Sequence, residues 1–312
     1  MNYCFGIDIG GTSIKMGLFD TEGNLLDKWE IPTRKENGRE AVLTDIATSV
    51  QEKISEKKIA PGEVCGAGMG VPGPVEPDGY VSLCVNLGWR DCNPGRELSQ
   101  MLGGLLVRAA NDANVAALGE FWRGGAQGCS NVVLLTLGTG VGGGVIINGK
   151  VVDGVHGAGG ELGHVVVNPD ETLQCNCGNY GCLEQYASAT GVVRVAGRIL
   201  QAKPDVDSTL RAIDGFSAKD VFDAAKAGDA IAKEAVDTLC KYLGFATANC
   251  AMTIDPEVFV IGGGVSRAGA VLTDGIGRYF DKYTPLLKKK AKIALATLGN
   301  DAGIYGAARL AL

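Results

Sequence analysis

The chain has 312 residues, 46% hydrophobic and 21% charged, with 47 glycines, ten cysteines and two histidines. That length is enough for two domains, each with its own core, and a net charge of -6 excludes general attraction to nucleic acid or to an anionic membrane. The longest apolar run, VVLLTLGTGVGGGVII, is cut by glycines and falls short of a spanning helix.

In chain order, MNYCFGIDIGGT has neither a basic leader region nor a signal-like apolar core, so it is expected to begin directly in a strand of a cytoplasmic protein. YCFGIDIGGTSIKMGLFDTEGNLLDKWEIP reads as strand, glycine turn, strand, polar turn, strand, and residues 39–58 have helical spacing. A strand at VCGAGMGVPG, a short helix after Pro94 and a strand at LLVRAAND complete a mixed α/β unit. A second unit is expected to begin with the helix ANVAALGEFWRGG and to repeat the plan in NVVLLTLGTGVGGGVIINGKVV. Helices dominate from Glu184 to about Pro285, broken by the strand EVFVIGGG; LLKKKAK reads as a solvated helix face, and DAGIYGAARLAL as a final helix packing back on the first domain. The expected domains are therefore 1–110, completed by 300–312, and 111–299, the latter with a cysteine-rich segment at 164–182.

The glycine turns exclude two familiar nucleotide motifs. Gly138 to Gly143, GTGVGG, matches G-x-G-x-x-G, but that motif must open a helix, and here it leads into a strand. GVIINGKV misses a P-loop because Val151 stands where Ser or Thr should meet magnesium. Strand-turn-strand hairpins can still cradle phosphate through close backbone N–H groups. Thr12 and Thr139 would add hydroxyl donors, Asp8 would hold Mg²⁺ through water, and Gly262, Gly263 and Gly264 suit the adenosine side of a nucleotide.

GHVVVNPDETLQCNCGNYGCLEQY gathers three of the cysteines and one histidine. Cys175-x-Cys177 is not a thioredoxin-like C-x-x-C, and a Cys177–Cys182 disulfide disagrees with a reducing compartment. His164, Cys175, Cys177 and Cys182 read as H-x10-C-x-C-x4-C, one nitrogen and three thiolates suited to a closed tetrahedral zinc, with Gly178 and Gly181 letting the backbone fold round it. Such a site has no open position for water, so its work is to stiffen the segment. The other histidine, His156, reads as a loop residue. Asp112, between a strand and a helix, has two readings that spacing leaves even: a general base for a hydroxyl or a helix cap. The same dipeptide recurs at Asn300-Asp301, where the cap is the preferred reading.

DIGGT, GVPGPV, NDAN, LGTGVGGG, GELGH, CNCGNYGCLE and IGGGVS occur in the order seen in the ROK sugar kinases, and the chain resembles that family from Gly6 to the last helix. NLGW and LGNDAG bring it nearest the bacterial ROK glucokinases. The resemblance implies a two-domain actin/hexokinase-like (ribonuclease H-like) α/β fold with an interdomain cleft. It also implies ATP-dependent phosphorylation of D-glucose, with Asp112 as base and Asn111, Asp112, Glu161, His164 and Glu184 on the sugar. Gly10, Gly11, Thr12, Lys15, Gly138, Thr139 and Gly140 would lie round the phosphates. The implied cofactors are ATP, Mg²⁺ and structural Zn²⁺, and the implied assembly is a homodimer or higher homo-oligomer. An N-acetylhexosamine kinase of the same family and a non-catalytic sugar sensor remain as alternatives; the sensors carry a helix-turn-helix domain ahead of the kinase-like body, for which the early first strand leaves no room.

Overall fold

The computed structural model describes residues 2–60 and 62–312. The first stretch holds β1 (Tyr3–Ile9), β2 (Ser13–Asp20), β3 (Leu25–Pro32), α1 (Gly38–Glu56), β4 (Val64–Val71), β5 (Val81–Cys84), β6 (Trp89–Cys92), α2 (Pro94–Met101), β7 (Val107–Asn111) and α3 (Asp112–Arg123). The remainder holds β8 (Val132–Leu137), β9 (Val141–Ile147), β10 (Lys150–Val151), α4 (Glu184–Ala187), α5 (Ala189–Ala202), α6 (Ala218–Ala227), α7 (Ala230–Ile254), β11 (Val258–Gly262), α8 (Ala270–Tyr283), β12 (Lys292–Leu295) and α9 (Ala302–Leu310).

The two main sheets have one plan. Their orders are β3-β2-β1-β4-β7 and β10-β9-β8-β11-β12, each an opening run of three strands followed by two more on the far side of the first. In the first sheet β1–β2 and β2–β3 are antiparallel, while β1–β4 and β4–β7 are parallel. The second matches where its pairing is defined: β9–β10 antiparallel, β11–β12 parallel. The repeat of apolar strand, glycine turn and apolar strand in the sequence thus corresponds to a repeated sheet.

The chain forms two compact units: one contains the chain up to Leu134, Gly144–Gly160 and Thr297–Leu312, the other Leu135–Gly143 and Glu161–Ala296. The first is built on Phe5, Ile7, Ile46, Met69, Trp89 and Leu98, and a smaller cluster joins Cys4 and Phe19 to Ile304 and Ala308 of α9. Burying a side chain such as Ile304 contributes about 1.5–3 kcal/mol. The helix comes so close that a Cβ on Gly6 of β1 would lie 1.9 Å from the Ile304 carbonyl oxygen, and one on Gly68 of β4 the same distance from that of Ala307. The second unit packs α5, α6, α7 and α8 round Leu135, Leu183, Val192, Val221, Leu239 and Ile276.

Two features depart from the sequence reading and two more are absent from it. Helix α3 belongs to the first unit, beyond the boundary expected at 110, because α9 packs along it; a Cβ on Gly306 would lie 1.6 Å from the Val115 carbonyl oxygen. LLKKKAK is not a helix: α8 ends at Tyr283, and Lys292 already belongs to β12. The glycines after β11 open a 3-10 turn, Gly264–Ala268, before α8 begins at Ala270. The β5–β6 ribbon carries no alternating apolar pattern strong enough to announce it.

Candidate active site

In the first unit, β1 and β2 run in register to Ile9↔Ile14, and the turn between them is closed by Gly10 N donating to Ser13 O at 2.9 Å. Thr12 at its tip is exposed. Thr33, past the end of β3, donates its hydroxyl to Gly10 O at 2.8 Å and its amide to Thr12 O at 3.0 Å. Burial pushes the Asp8 carboxyl up from its ordinary value, and the charge of Lys15 pulls it back. A divalent cation would favour the ionised form. Lys15 also donates its Nζ to the Asn300 carbonyl at 3.1 Å.

The question raised by Asp112 has a structural answer. Asn111 is the cap of α3: its Oδ1 accepts from Ala113 N at 2.9 Å and Asn114 N at 3.1 Å. Its Nδ2 donates to Gly73 O at 3.0 Å and to Asp112 Oδ1 at 3.1 Å. Asp112 is therefore the first residue of the helix, and its carboxylate is oriented by Asn111 and by Ala113 N at 2.9 Å. At the second such dipeptide the cap reading fails. Asp301 precedes α9 without a side-chain capping bond and instead pairs with Lys28 at 2.8 Å.

In the second unit, Gly138 N donates to Gly140 O at 2.9 Å, closing the turn between β8 and β9. Beneath it lies Glu184, whose Oε2 accepts from Val141 N at 2.9 Å. A Cβ on Gly140 would sit 2.2 Å from that same oxygen, so a larger residue here would displace the Glu184 carboxylate. Glu161 and His164 bracket one turn of 3-10 helix, Leu162–His164, closed by His164 N to Glu161 O at 3.1 Å. Residues three apart eclipse in such a turn. Gly263, at φ +80°, follows β11 and abuts the backbone of Leu137 at the end of β8. His156 is exposed in a turn.

His164, Cys175, Cys177 and Cys182 offer ligand atoms all within 4.8 Å of one another. Cys177 Sγ lies 3.6 Å from Cys182 Sγ, and Cys175 Sγ lies 3.9 Å from His164 Nδ1. Zinc–sulfur bonds of about 2.3 Å at tetrahedral angles place two sulfurs about 3.8 Å apart, so the donor set fits that ion. Burial pushes the Cys175 thiol up and the Cys182 thiol up to about 12. Metal binding must therefore release protons from them. Gly178 and Gly181 take φ of +90° and +72° where the knot turns.

Sequence spacing gave no signal for the residue that holds this knot against the helices. Glu171 has a side chain only 3% exposed. It accepts from Arg198 Nη1 at 2.7 Å and Nη2 at 2.9 Å, from Tyr186 Oη at 2.6 Å, and from Thr172 N and Leu173 N at 2.9 Å each. The Arg198 guanidinium first, then Tyr186 and the Leu173 amide, outweigh the burial penalty and hold its carboxyl well below the usual range. Hydrogen bonds to charged groups contribute about 1.5–3 kcal/mol each, with half-exposed Arg198 at the lower end. Gln185 adds a second clasp, accepting from Cys182 N at 3.1 Å and donating to Leu173 O at 2.9 Å.

Repeated sheets, two glycine hairpins, an oriented aspartate and a Cys3His knot define a class, and the chain belongs to the ROK family, whose description matches residues 4–312. Its fold is the actin/hexokinase-like fold of the ROK sugar kinases. A glucokinase of Halalkalibacterium halodurans is 45% identical over 96% of this chain and 92% of its own. A crystal structure of the Streptomyces griseus ROK glucokinase in complex with glucose and AMPPNP covers 99% of both chains, at a TM-score of 0.76 and 35% identity. The ROK hexokinase of Thermus thermophilus aligns over 99% of this chain and 97% of its own, at a TM-score of 0.84 and 33% identity. No described helix is long and apolar enough to cross a membrane.

Proposed function

We propose that this protein is a glucokinase that transfers the γ-phosphoryl group of ATP to the 6-hydroxyl of D-glucose, giving glucose 6-phosphate and ADP. The observation that carries this is the 45% identity to a glucokinase across almost the whole chain, in a chain where Asn111 relieves Asp112 of the capping task.

A sugar hydroxyl is a poor nucleophile at neutral pH. As O6 attacks the γ-phosphorus, the O6–H proton passes to the Asp112 carboxylate, the O6–P bond forms, and the bond from phosphorus to the β,γ-bridging oxygen breaks to leave ADP. Asn111 fixes the rotamer of Asp112 through the 3.1 Å bond. The turns at Gly10, Gly11 and Thr12 and at Gly138, Thr139 and Gly140 present backbone N–H groups and hydroxyls to the phosphates. Such preorganised donors supply most of the catalysis in phosphoryl transfer. Lys15 adds positive charge, Asp8 would hold Mg²⁺ of the nucleotide complex through water, and Gly262–Gly264 would face the adenosine.

Glu161, His164, Glu184 and Asn111 are assigned to the sugar. His164, Cys175, Cys177 and Cys182 would hold a zinc ion, which supplies rigidity. With Nδ1 turned towards Cys175, His164 keeps Nε2 for a sugar hydroxyl. A reducing cytoplasm suits a site made of three thiolates, and the family resemblance suggests a homodimer.

The test is ADP release with MgATP against glucose, mannose, fructose, N-acetylglucosamine and N-acetylmannosamine. Glucose-dependent release, with the acetylated sugars weak, is the expected result. Preference for an acetylated sugar would replace glucose with an N-acetylhexosamine, and silence across the panel would refute the kinase reading with ATP.

A further inference from the structure

The turn from Gly138 to Val141 is held from one side by a single short segment, residues 184–190, at four points in sequence. Ala189 N donates to Gly138 O at 2.8 Å, Thr190 Oγ1 donates to Thr139 O at 2.8 Å, and Glu184 Oε2 accepts from Val141 N at 2.9 Å. At Gly140 the contact is steric, with room for no more than a hydrogen above the Glu184 carboxylate. The segment is itself rigid. Ser188 caps α5, accepting from Gly191 N at 2.9 Å, and donates to Glu184 O at 2.7 Å, with its Oγ 3.0 Å from Thr190 Oγ1. It is also tied to the cysteine knot: it starts two residues after Cys182, and Glu184 Oε1 lies 3.9 Å from Cys175 Sγ.

We propose that Thr190 is a positioning residue of the donor site, holding the Thr139 carbonyl so that the Thr139 and Gly140 amides stay aimed at the phosphates of ATP. This rests on the phosphate reading of that turn given above. Thr190 is the one anchor of the four that can be removed by a side-chain change without altering a proposed sugar or metal ligand. Thr190 is exposed at the start of the helix, so it serves no core; its hydroxyl bonds the Thr139 carbonyl and lies beside Ser188 Oγ. Because the turn and the knot share this segment, the site that recognises the sugar and the site that recognises the donor are mechanically one body within this unit.

The test compares Thr190→Val, which keeps the β-branched shape and loses the hydroxyl, with Thr190→Ser, which keeps it. One such hydrogen bond is worth a change of roughly 3- to 10-fold. Thr190→Val should raise the KM for MgATP and the Kd for AMPPNP by that factor. Glucose KM and bound zinc should stay as in the parent protein, and Thr190→Ser should restore the nucleotide values. An unchanged MgATP KM in Thr190→Val overturns the proposal, as does an equal rise for both substrates or a loss of zinc, since either marks general support for the fold. Thr139→Ala separates this from failure of the donor-site reading. If Thr139→Ala weakens MgATP while Thr190→Val is silent, only Thr190 is wrongly assigned; if both are silent, the hydroxyl part of the donor-site reading falls as well.

Discussion

The two sheets share an order, yet their glycine turns are braced in different ways. At the first turn one nearby residue suffices, with Thr33 reaching both Gly10 and Thr12 from the end of the adjoining strand. At the second the bracing comes from residues 184–190, far along the chain. The cause is the connection between the third and fourth strands of each sheet. In the first it is residues 33–63, with α1 as its main element; in the second it is residues 152–257, with the cysteine knot and α4 to α7. A repeated scaffold presents the turn twice, and the long connection adds the cysteine knot to one copy. Asp112 lies in the unit with the shorter connection.

The comparison breaks most sharply at Asp112. Asp112→Asn should lower kcat by roughly 10²- to 10⁴-fold, the range of a general base, with little change in glucose KM. A near-normal kcat would leave the first unit a scaffold for phosphates alone. Next in size is Cys175→Ala, which should reduce bound zinc and weaken glucose binding by roughly 10- to 100-fold, as loss of support round a metal site does. Cys65→Ala, an exposed cysteine of the first unit, should change neither, as measured by metal analysis and glucose titration. Thr33→Val is the counterpart of the change at Thr190 and should raise MgATP KM by roughly 3- to 10-fold. The two braces serve separate turns, so their effects in a double variant should multiply.

The smallest effect concerns pH and belongs to the long connection only. Glu171 has its carboxyl held below the ordinary value, chiefly by Arg198. The sign follows: a depressed native value gives stability that is present above the unfolded value of about 4.3 and lost as pH falls through the native one. Urea midpoints of zinc-free protein should therefore fall between the ordinary glutamate range and more acid pH, and Glu171→Gln should flatten that slope. An unchanged slope would remove Glu171 from the account of the knot.

The sequence made some of this architecture legible because its signals are local. Strand-turn-strand patterns mark β1 to β3 and β8 to β10, and the cysteine spacing marks four donors that meet within 4.8 Å. What it concealed depends on distant partners. Asn111 and Asp112 could each have capped α3; Ala113 N donates to both, and only the Asn114 amide, which reaches Asn111 Oδ1, distinguishes them. Glu171 looks like any loop glutamate until Arg198 and Tyr186 are placed round it. The lysines of LLKKKAK suggested a solvated helix, but Lys290 reaches back to Asp281 at 2.6 Å and the chain turns into an edge strand.

The return of α9 to the first unit has a consequence for the order in which the protein is made. Residues 297–312 leave the ribosome after everything they pack against, yet they fill the slots prepared by Gly6 and Gly68 on two of the earliest strands. Until that segment emerges, Cys4 and Phe19 lack their covering helix, and Glu120, fully buried in the finished protein, lacks the Thr297 and Leu298 amides that its carboxylate accepts at 3.0 and 2.9 Å. The unit begun first is thus the one finished last. During translation the first unit therefore keeps an unclosed apolar surface until residues 297–312 have been made.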